Sequence, residues 1–317
     1  MFLRLLANRS IDLVFVVLGV SIIVFLMIRL IPGDAVAIML GANTEITPER
    51  LASLRARVGL DRPLVEQYLV WVGKALTGDL GQSLWTGKPV IEEIGANIGV
   101  TLQLLLMSLA LGAGLAVPAG CVMAYVRGRT ADVVLRLLTI AGITVPSFWL
   151  GIVMILALAT LAPGFPSLGH VPFTQDPLGN LARMLLPSLA LALPILASLA
   201  RLVRTAMLDA LGQDYIRTAR AKGVSETLVV YKHALRNALI PFVTSVGITA
   251  GYLFGGAIVV EQVFALPGLG RLIVGAIGER NYPLIQAAIL LVTSGFVIIN
   301  FAVDLLYAAI DPRVRER

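Results

Sequence analysis

Residues 100–126 read VTLQLLLMSLALGAGLAVPAGCVMAYV, with no Asp, Glu, Lys, Arg or His among them. A helix crossing the hydrocarbon of a bilayer needs about 20 mainly apolar residues. This stretch supplies them, so its reading decides the class of the chain. Five other stretches have the same character: roughly 10–31, 136–161, 185–200, 239–260 and 284–310. The pattern predicts an all-α membrane protein with six transmembrane helices. The 185–200 stretch is the weakest, because it is short and holds Pro187 and Pro194. It is expected to be kinked or to extend into its flanks.

Composition agrees. The chain has 317 residues, 58% of them hydrophobic and only 14% charged, and a mean hydropathy of +0.89. Soluble domains carry about 25% charged and about 45–50% apolar residues. A chain this poor in charge cannot clothe a water-facing surface. That excludes a soluble enzyme, a disordered chain and a nucleic-acid-binding domain, so no nucleic-acid partner is expected. The single cysteine, Cys121, excludes an internal disulfide and a cysteine metal cluster. It lies inside an apolar run and is read as inert packing.

The first span could be mistaken for a signal peptide, since Arg4 and Arg9 precede it and Ala35-Val36-Ala37 resembles a cleavage site. The apolar run from Ile11 to Ile28 exceeds the usual core of about 7–15 residues, so it is read as a retained span. With six spans both termini lie on one side. Placing them inside puts 15 Lys and Arg in the inner segments and 9 in the outer ones. Six of those nine fall in the long 32–99 segment, and long loops count for little in the positive-inside rule. Cytoplasmic termini are therefore expected. The net +6 divides into +9 inside, −2 outside and −1 in the spans.

The divisions expected are 1–31 (N-terminus and first span), an outer helical segment 32–99, a five-helix core 100–310 and a cytoplasmic tail 311–317. In the outer segment Thr47 and Pro48 read as a helix cap and first turn. Leu51, Leu54 and Val58 follow on one face, and Gly59 ends the helix. A second amphipathic run spans Pro63 to Leu76, with Leu64, Tyr68, Trp71 and Val72 on one face. The segment reads as a cap on the membrane surface or a docking surface for an external partner. Gly81 to Lys88 is superficially similar to a phosphate-binding loop, but Gly81 stands six residues before Gly87 and Pro89 follows Lys88. No nucleotide-binding motif is present.

The inner block 201–238 reads RLVRTAMLDALGQDYIRTARAKGVSETLVVYKHALRNA. Leu202, Val203, Ala206, Met207, Ala210 and Leu211 repeat with helical spacing. The helical pattern runs from Asp214 to Lys222 and stops at Gly223. A second helix opens with Ser225 as cap and Glu226 in its first turn, and Val224 and Val229 take the two positions of a hydrophobic staple. Gly223 is thus expected to be a hinge between two helices, one short and exposed. A solvated or membrane-surface helix would account for that pattern alone.

At this block the sequence resembles a permease subunit of an ATP-binding-cassette importer, and more narrowly the dipeptide, oligopeptide and nickel permease family. Residues Asp214-Tyr215-Ile216-Arg217-Thr218-Ala219-Arg220-Ala221-Lys222-Gly223 match that family's form of the cytoplasmic loop motif. Against the general importer motif, Gly223, Ala219 and Leu235 agree, while Arg217 and Thr218 replace its Glu and first Ala. The resemblance runs nearly end to end through Pro32-Gly33-Asp34, Gly78-Asp79-Leu80-Gly81-Gln82-Ser83 and Val145-Pro146-Ser147-Phe148. It continues in Glu261-Gln262-Val263-Phe264, Pro267-Gly268-Leu269-Gly270 and Asp311-Pro312-Arg313-Val314-Arg315.

The resemblance implies the type I importer permease fold in a bacterial or archaeal cytoplasmic membrane. It implies a second permease, two ATPase subunits that use ATP and Mg²⁺, and an external substrate-binding protein. It implies no cofactor, metal or catalytic site in this chain. Asp214, Tyr215, Arg217, Ala219, Arg220, Lys222, Gly223, Val224, Ser225 and Glu226 would form the ATPase-coupling loop, with the helix after Gly223 seated in a groove of the ATPase. Peptides are the expected cargo, with nickel or glutathione as alternatives.

Charges within spans are costly and often functional. Asp12, Arg29 and Asp304 qualify, all near span ends where snorkelling is cheap. His170 and His233 stand alone and are read as structural. Gly247, Gly251 and Gly255 form a small-residue ridge that would let helices approach closely, within the subunit or against a second permease. The substrate path is not legible. An ion-coupled carrier acting alone would leave the 201–238 block unexplained, and an intramembrane enzyme would need paired catalytic groups that are not seen.

Overall fold

The computed structural model describes residues 2–30 and 61–310, with side chains from 11–29 and 61–303 except Asp12 and Ile28. The expected helix from Thr47 to Gly59, the side chains of Asp12 and Asp304, and the 311–317 tail lie outside them. The described residues form helices joined by turns, with one isolated bridge between Gln82 and Pro89. The helices are α1 (Phe2–Leu30), α2 (Leu64–Leu76), α3 (Val90–Tyr125), α4 (Thr130–Thr144) and α5 (Ser147–Leu161). Then follow α6 (Pro177–Leu211), α7 (Asp214–Ala221), α8 (Glu226–Val263), α9 (Leu269–Gly278) and α10 (Tyr282–Ile310).

Four of these, α3, α6, α8 and α10, are long and apolar enough to cross a membrane. Helices α4 and α5 pass the same test together but are bent by 105° at their junction. The expected single span over 136–161 is therefore a broken pair. The break falls at Val145-Pro146, where Val145 turns extended (φ −78°, ψ 125°), the conformation a following proline imposes. The 185–200 stretch takes the second of its two expected forms and extends into both flanks. Helix α6 runs unbroken for 35 residues through Pro187 and Pro194, and its apolar window is the most buried of the four. Asp176 caps it, accepting from the Gly179 amide at 2.9 Å, and Pro177 opens its first turn.

The chain divides into two compact units, each discontinuous in sequence. The first holds residues 100–267 and 299–310 of the described part. Its centre is α6, which packs against α4, α5 and α8. The approach is close because glycines face it. A Cβ on Gly120 of α3 would lie 2.6 Å from the Val203 Cβ and 2.7 Å from the Ala200 carbonyl oxygen. A Cβ on Gly112 would lie 2.8 Å from Ile195, and one on Gly142 of α4 would lie 2.9 Å from the Ala197 Cβ. With buried Ala116 between them, Gly112 and Gly120 make a small-residue ridge of the kind that lets membrane helices touch. The sequence reading had singled out a different ridge, on α8.

The second unit holds residues 3–99 and 268–298. In it α2 lies against α1 through Phe25, Tyr68 and Trp71, with ring centroids 5.3 to 6.2 Å apart. Ser21 Oγ and the Tyr68 hydroxyl are 2.7 Å apart, and Arg29 donates from Nε to Gln67 Oε1 at 3.0 Å while stacking on Phe25. Leu64, expected on the apolar face of α2, is exposed. Val90, Ile94, Leu269, Ile273, Ile285 and Ala288 form the unit's core. The 81–89 turn is pinned to the α9–α10 junction: Asn281 donates to Ser83 Oγ at 2.8 Å and accepts from the Leu84 amide at 3.2 Å. The Ser83 and Gly87 amides are spent on Lys88 and Ser83 carbonyls, so this turn offers no phosphate cradle there.

Helix α8 ends in a Schellman turn: Leu266 N–H reaches the Glu261 carbonyl at 2.9 Å and Ala265 N–H reaches Gln262 at 3.3 Å. Ala265 must hold φ +54° to make it. Left-handed backbone costs a residue with a Cβ about 1–2 kcal/mol. Ala265→Gly is expected to stabilise the protein by roughly 0.5–1 kcal/mol after glycine's larger unfolded-state entropy is subtracted. Thermal unfolding of the detergent-solubilised protein checks this, with a higher midpoint as the result.

Candidate functional site

The candidate site is the turn of chain between α6 and α8. Helix α6 stops at Leu211, and Gly212-Gln213 separates it from α7. Helix α7 has an apolar side and an exposed one. Ile216 and Ala219 turn inward onto Val229, with Leu211 and Val224 packed around them. Ile216 and Val229 are completely buried, so this loop carries a small core of its own. Tyr215, Arg217, Thr218, Arg220 and Lys222 remain exposed.

The loop closes at Gly223. Its N–H donates to the Arg220 carbonyl at 2.9 Å, and the Val224 N–H reaches back to Ala219 at 3.2 Å. These two bonds, a φ of +78° at Gly223 and the packing of Val224 on Ala219's cluster complete a Schellman turn. Space around Gly223 is open, so its requirement is conformational rather than steric. Arg220 forks onto Glu226 across the turn, Nε to Oε2 at 3.0 Å with a second bond to Oε1. That hydrogen bond holds the Glu226 carboxyl below its usual range. Arg217 and Asp214 pair at 3.7 Å in full exposure, which is worth little.

The resemblance seats the helix after Gly223 in the ATPase groove, and the pattern leaves open which of the two helices is short. The helix after Gly223 is the long one. It starts at Glu226, passes through a π-helical turn at Val229–Ala234 and continues as α8 to Val263. The short helix of the loop is α7, before Gly223. Ser225 occupies the cap position in extended backbone, but its side chain makes no cap bond. The staple pair does meet, because Val224 packs on the cluster that contains Val229. Tyr215 is tied to α8, its hydroxyl accepting from Asn237 Nδ2 at 2.7 Å. Both line an open groove of about 630 Å³ with Lys232, His233 and Arg236.

On α8 the three glycines of the expected ridge differ. A Cβ on Gly247 would collide with the Val303 side chain, Gly251 is buried, and a Cβ on Gly255 would meet nothing within 4 Å.

Two ionic features escaped the sequence reading. Asp132, at the start of α4, is nearly buried and receives Arg204 of α6 at 3.0 Å, Arg136 at 3.5 Å and the Gly128 amide at 3.2 Å. The Asp132–Arg136 spacing of four was visible, but the partner on α6 was not. Glu261, placed in an outer loop by the sequence reading, is fully buried near the end of α8 and accepts from Thr101 Oγ1 at 2.6 Å.

The chain matches two family models. One describes the inner membrane component of binding-protein-dependent transport systems and covers residues 116–316; the other describes the N-terminal part of such components and covers 2–104. A Brucella melitensis protein provisionally named a peptide transport system permease is 41% identical over 315 residues, 99% of each chain. A similarly named Brucella abortus (strain 2308) protein is 42% identical over 311 residues, 98% of each. The glutathione transport system permease of Escherichia coli (strain K12) is 39% identical over 315 residues, 99% of this chain and all of that one. Identity of this extent leaves no segment of the described helices unmatched, and the chain belongs to the permease components of binding-protein-dependent ATP-binding-cassette importers, in the dipeptide and oligopeptide branch.

Proposed function

We propose that the chain forms one half of a membrane path for di- or oligopeptides, beside a second permease and above two separate ATPase subunits that consume ATP and Mg²⁺. An external binding protein delivers the solute. Six spans, with the α4–α5 pair as one and α1 as the first, leave both termini in the cytoplasm and the 32–99 segment outside. The five later spans make up the 100–310 core. The chain has no catalytic site of its own; hydrolysis belongs to the partners.

The observation that carries the coupling role is the construction of the 214–226 loop. A helix seated in a partner's groove must resist deformation while it transmits force. Helix α7 is braced by the Ile216–Ala219–Val229 core and by the Arg220–Glu226 fork, yet keeps Arg217, Arg220 and Lys222 exposed for contact. The continuity of α8 from Glu226 onward gives that brace a direct mechanical line into a span.

Peptide cargo is supported by relatives named for peptide and for glutathione transport. Glutathione is itself a tripeptide, so the two names describe one chemistry: amides with terminal carboxylates. Co-expression with ATPase subunits and purification is expected to yield a stable complex, and uptake by that complex in vesicles to require ATP. Uptake unaffected by removing ATP would refute the reading.

A further inference from the structure

Helices α6 and α8 pack on one another, and a groove of about 420 Å³ opens at the surface between them. Its walls carry Ser198, Arg201 and Thr205 beside two leucines from α6, and Ser245, Ile248 and Thr249 from α8. Spacings of three and four place each set on one helix face. The Thr205 hydroxyl donates to the Arg201 carbonyl at 3.0 Å, and the Thr249 hydroxyl to Ser245 at 2.7 Å. Each donor is satisfied within its helix, and the oxygen lone pairs stay available as acceptors. Arg201 is exposed, and among the described residues no carboxylate pairs with it.

Such a face does not suit lipid. Ser198, Ser245 and Thr249 fall within the expected spans, where polar side chains turn toward a bundle interior or a water-filled cavity, and Arg201 and Thr205 continue the same face at its inner end. This groove lies on the chain's own surface, on a helix whose apolar window is only 33% buried. Purely apolar surface for lipid exists elsewhere, as at Phe15 and Leu156. The α6–α8 face therefore needs water in front of it and another protein wall beyond.

We propose that this groove is the chain's share of the solute path on its inner side. The hydroxyl oxygens of Ser198, Thr205, Ser245 and Thr249 accept hydrogen bonds from the amide N–H groups of a passing peptide. The Arg201 guanidinium receives its carboxylate, for which a planar fork of donors is well matched. A weak, multi-point lining of this sort lets the solute leave as well as enter, which a deep pocket would not.

The assignment rests on the importer reading, and the test separates the two. In the assembled complex with Cys121→Ala as background, Ser198→Cys, Ser245→Cys and Thr249→Cys are exposed to a charged, membrane-impermeant thiol reagent in inside-out vesicles. Labelling at least about ten-fold faster than at Phe15→Cys and Leu156→Cys is expected, since those controls face hydrocarbon. Equal rates overturn the path. In proteoliposomes that hold ATP inside and receive the external binding protein outside, Arg201→Gln is expected to lower uptake of trialanine and glutathione about ten-fold or more, as loss of a charge-assisted bond would, and Arg201→Lys, which keeps the charge without the planar fork, to lower it less. Unchanged uptake in Arg201→Gln overturns the carboxylate role. Failure of the unsubstituted complex to show ATP-dependent uptake would instead defeat the importer reading, leaving the labelling rates to judge the groove.

Discussion

Gly223→Pro is expected to abolish ATP-driven uptake while leaving the chain inserted in the membrane at normal level. Proline holds φ near −65°, and Gly223 sits at +78°. The substitution also removes the N–H that bonds Arg220. It further disfavours the near-helical backbone of Lys222 before it (φ −81°, ψ 5°). The turn cannot close, so Val224 and Val229 lose their register against Ile216, and α7 loses its brace. The apolar spans are untouched, which is why insertion survives. The cost of such a proline is about 3 kcal/mol or more, enough to unfold the loop locally. Two milder changes grade the effect. Gly223→Ala meets open space and incurs only the left-handed penalty, about 1–2 kcal/mol. Gly223→Asn incurs less, because Asn visits that region readily. Uptake and ATPase co-purification should fall together in the order Asn, Ala, Pro. Normal uptake in Gly223→Pro would remove the loop from the mechanism.

That series shows which parts of the structure could be read from sequence. Gly223 was legible because a helical pattern stopped at a glycine and a capped pattern restarted after it. The two local signals agreed, and the turn they imply is closed by bonds within five residues. The ends of α7 were less legible. Gly212 breaks the helical run before Asp214 without left-handed backbone (φ −81°), so it gave no distinctive signal. Prolines show the limit more sharply. Pro118, Pro187, Pro194 and Pro241 lie inside continuous helices, while Pro146 marks a 105° bend. A freed carbonyl inside a membrane protein can be satisfied by neighbouring helices or local adjustment, and a local sequence does not name those neighbours. The same holds for Glu261 and Asp132. Their partners Thr101 and Arg204 are 160 and 72 residues away, and no periodicity within one helix encodes such a pairing.

The glycine contacts of α6 lead to the second large effect. Gly120→Ala should sharply reduce the yield of folded chain, and no change of the facing side chain should restore it. The added methyl would lie 2.6 Å from the Val203 Cβ and 2.7 Å from the Ala200 carbonyl oxygen. A smaller residue at 203 removes the first clash. The second is with backbone, which can yield only if α6 itself shifts. Overpacking of this kind costs about 1–3 kcal/mol or more, outweighing the roughly 1 kcal/mol that alanine gains over glycine in a helix. Gly142→Ala is the contrasting case. Its methyl would meet the Ala197 Cβ at 2.9 Å, and the nearest backbone atom, the Leu193 carbonyl oxygen, is an ordinary 3.7 Å away. Gly142→Ala alone should destabilise, and the exchange Gly142→Ala with Ala197→Gly should recover most of the loss, since it keeps the glycine count and clears the contact. Fluorescence-detected gel filtration after graded heating measures all four variants: Gly120→Ala, Gly120→Ala with Val203→Gly, Gly142→Ala and the 142/197 exchange. Rescue of the Gly120 pair, or failure of the 142/197 exchange, would mean that α6 is not the fixed element around which this unit packs. The expected asymmetry follows from one distinction: a side chain can be traded for another, whereas a carbonyl in a helix buried on most sides has nowhere to go.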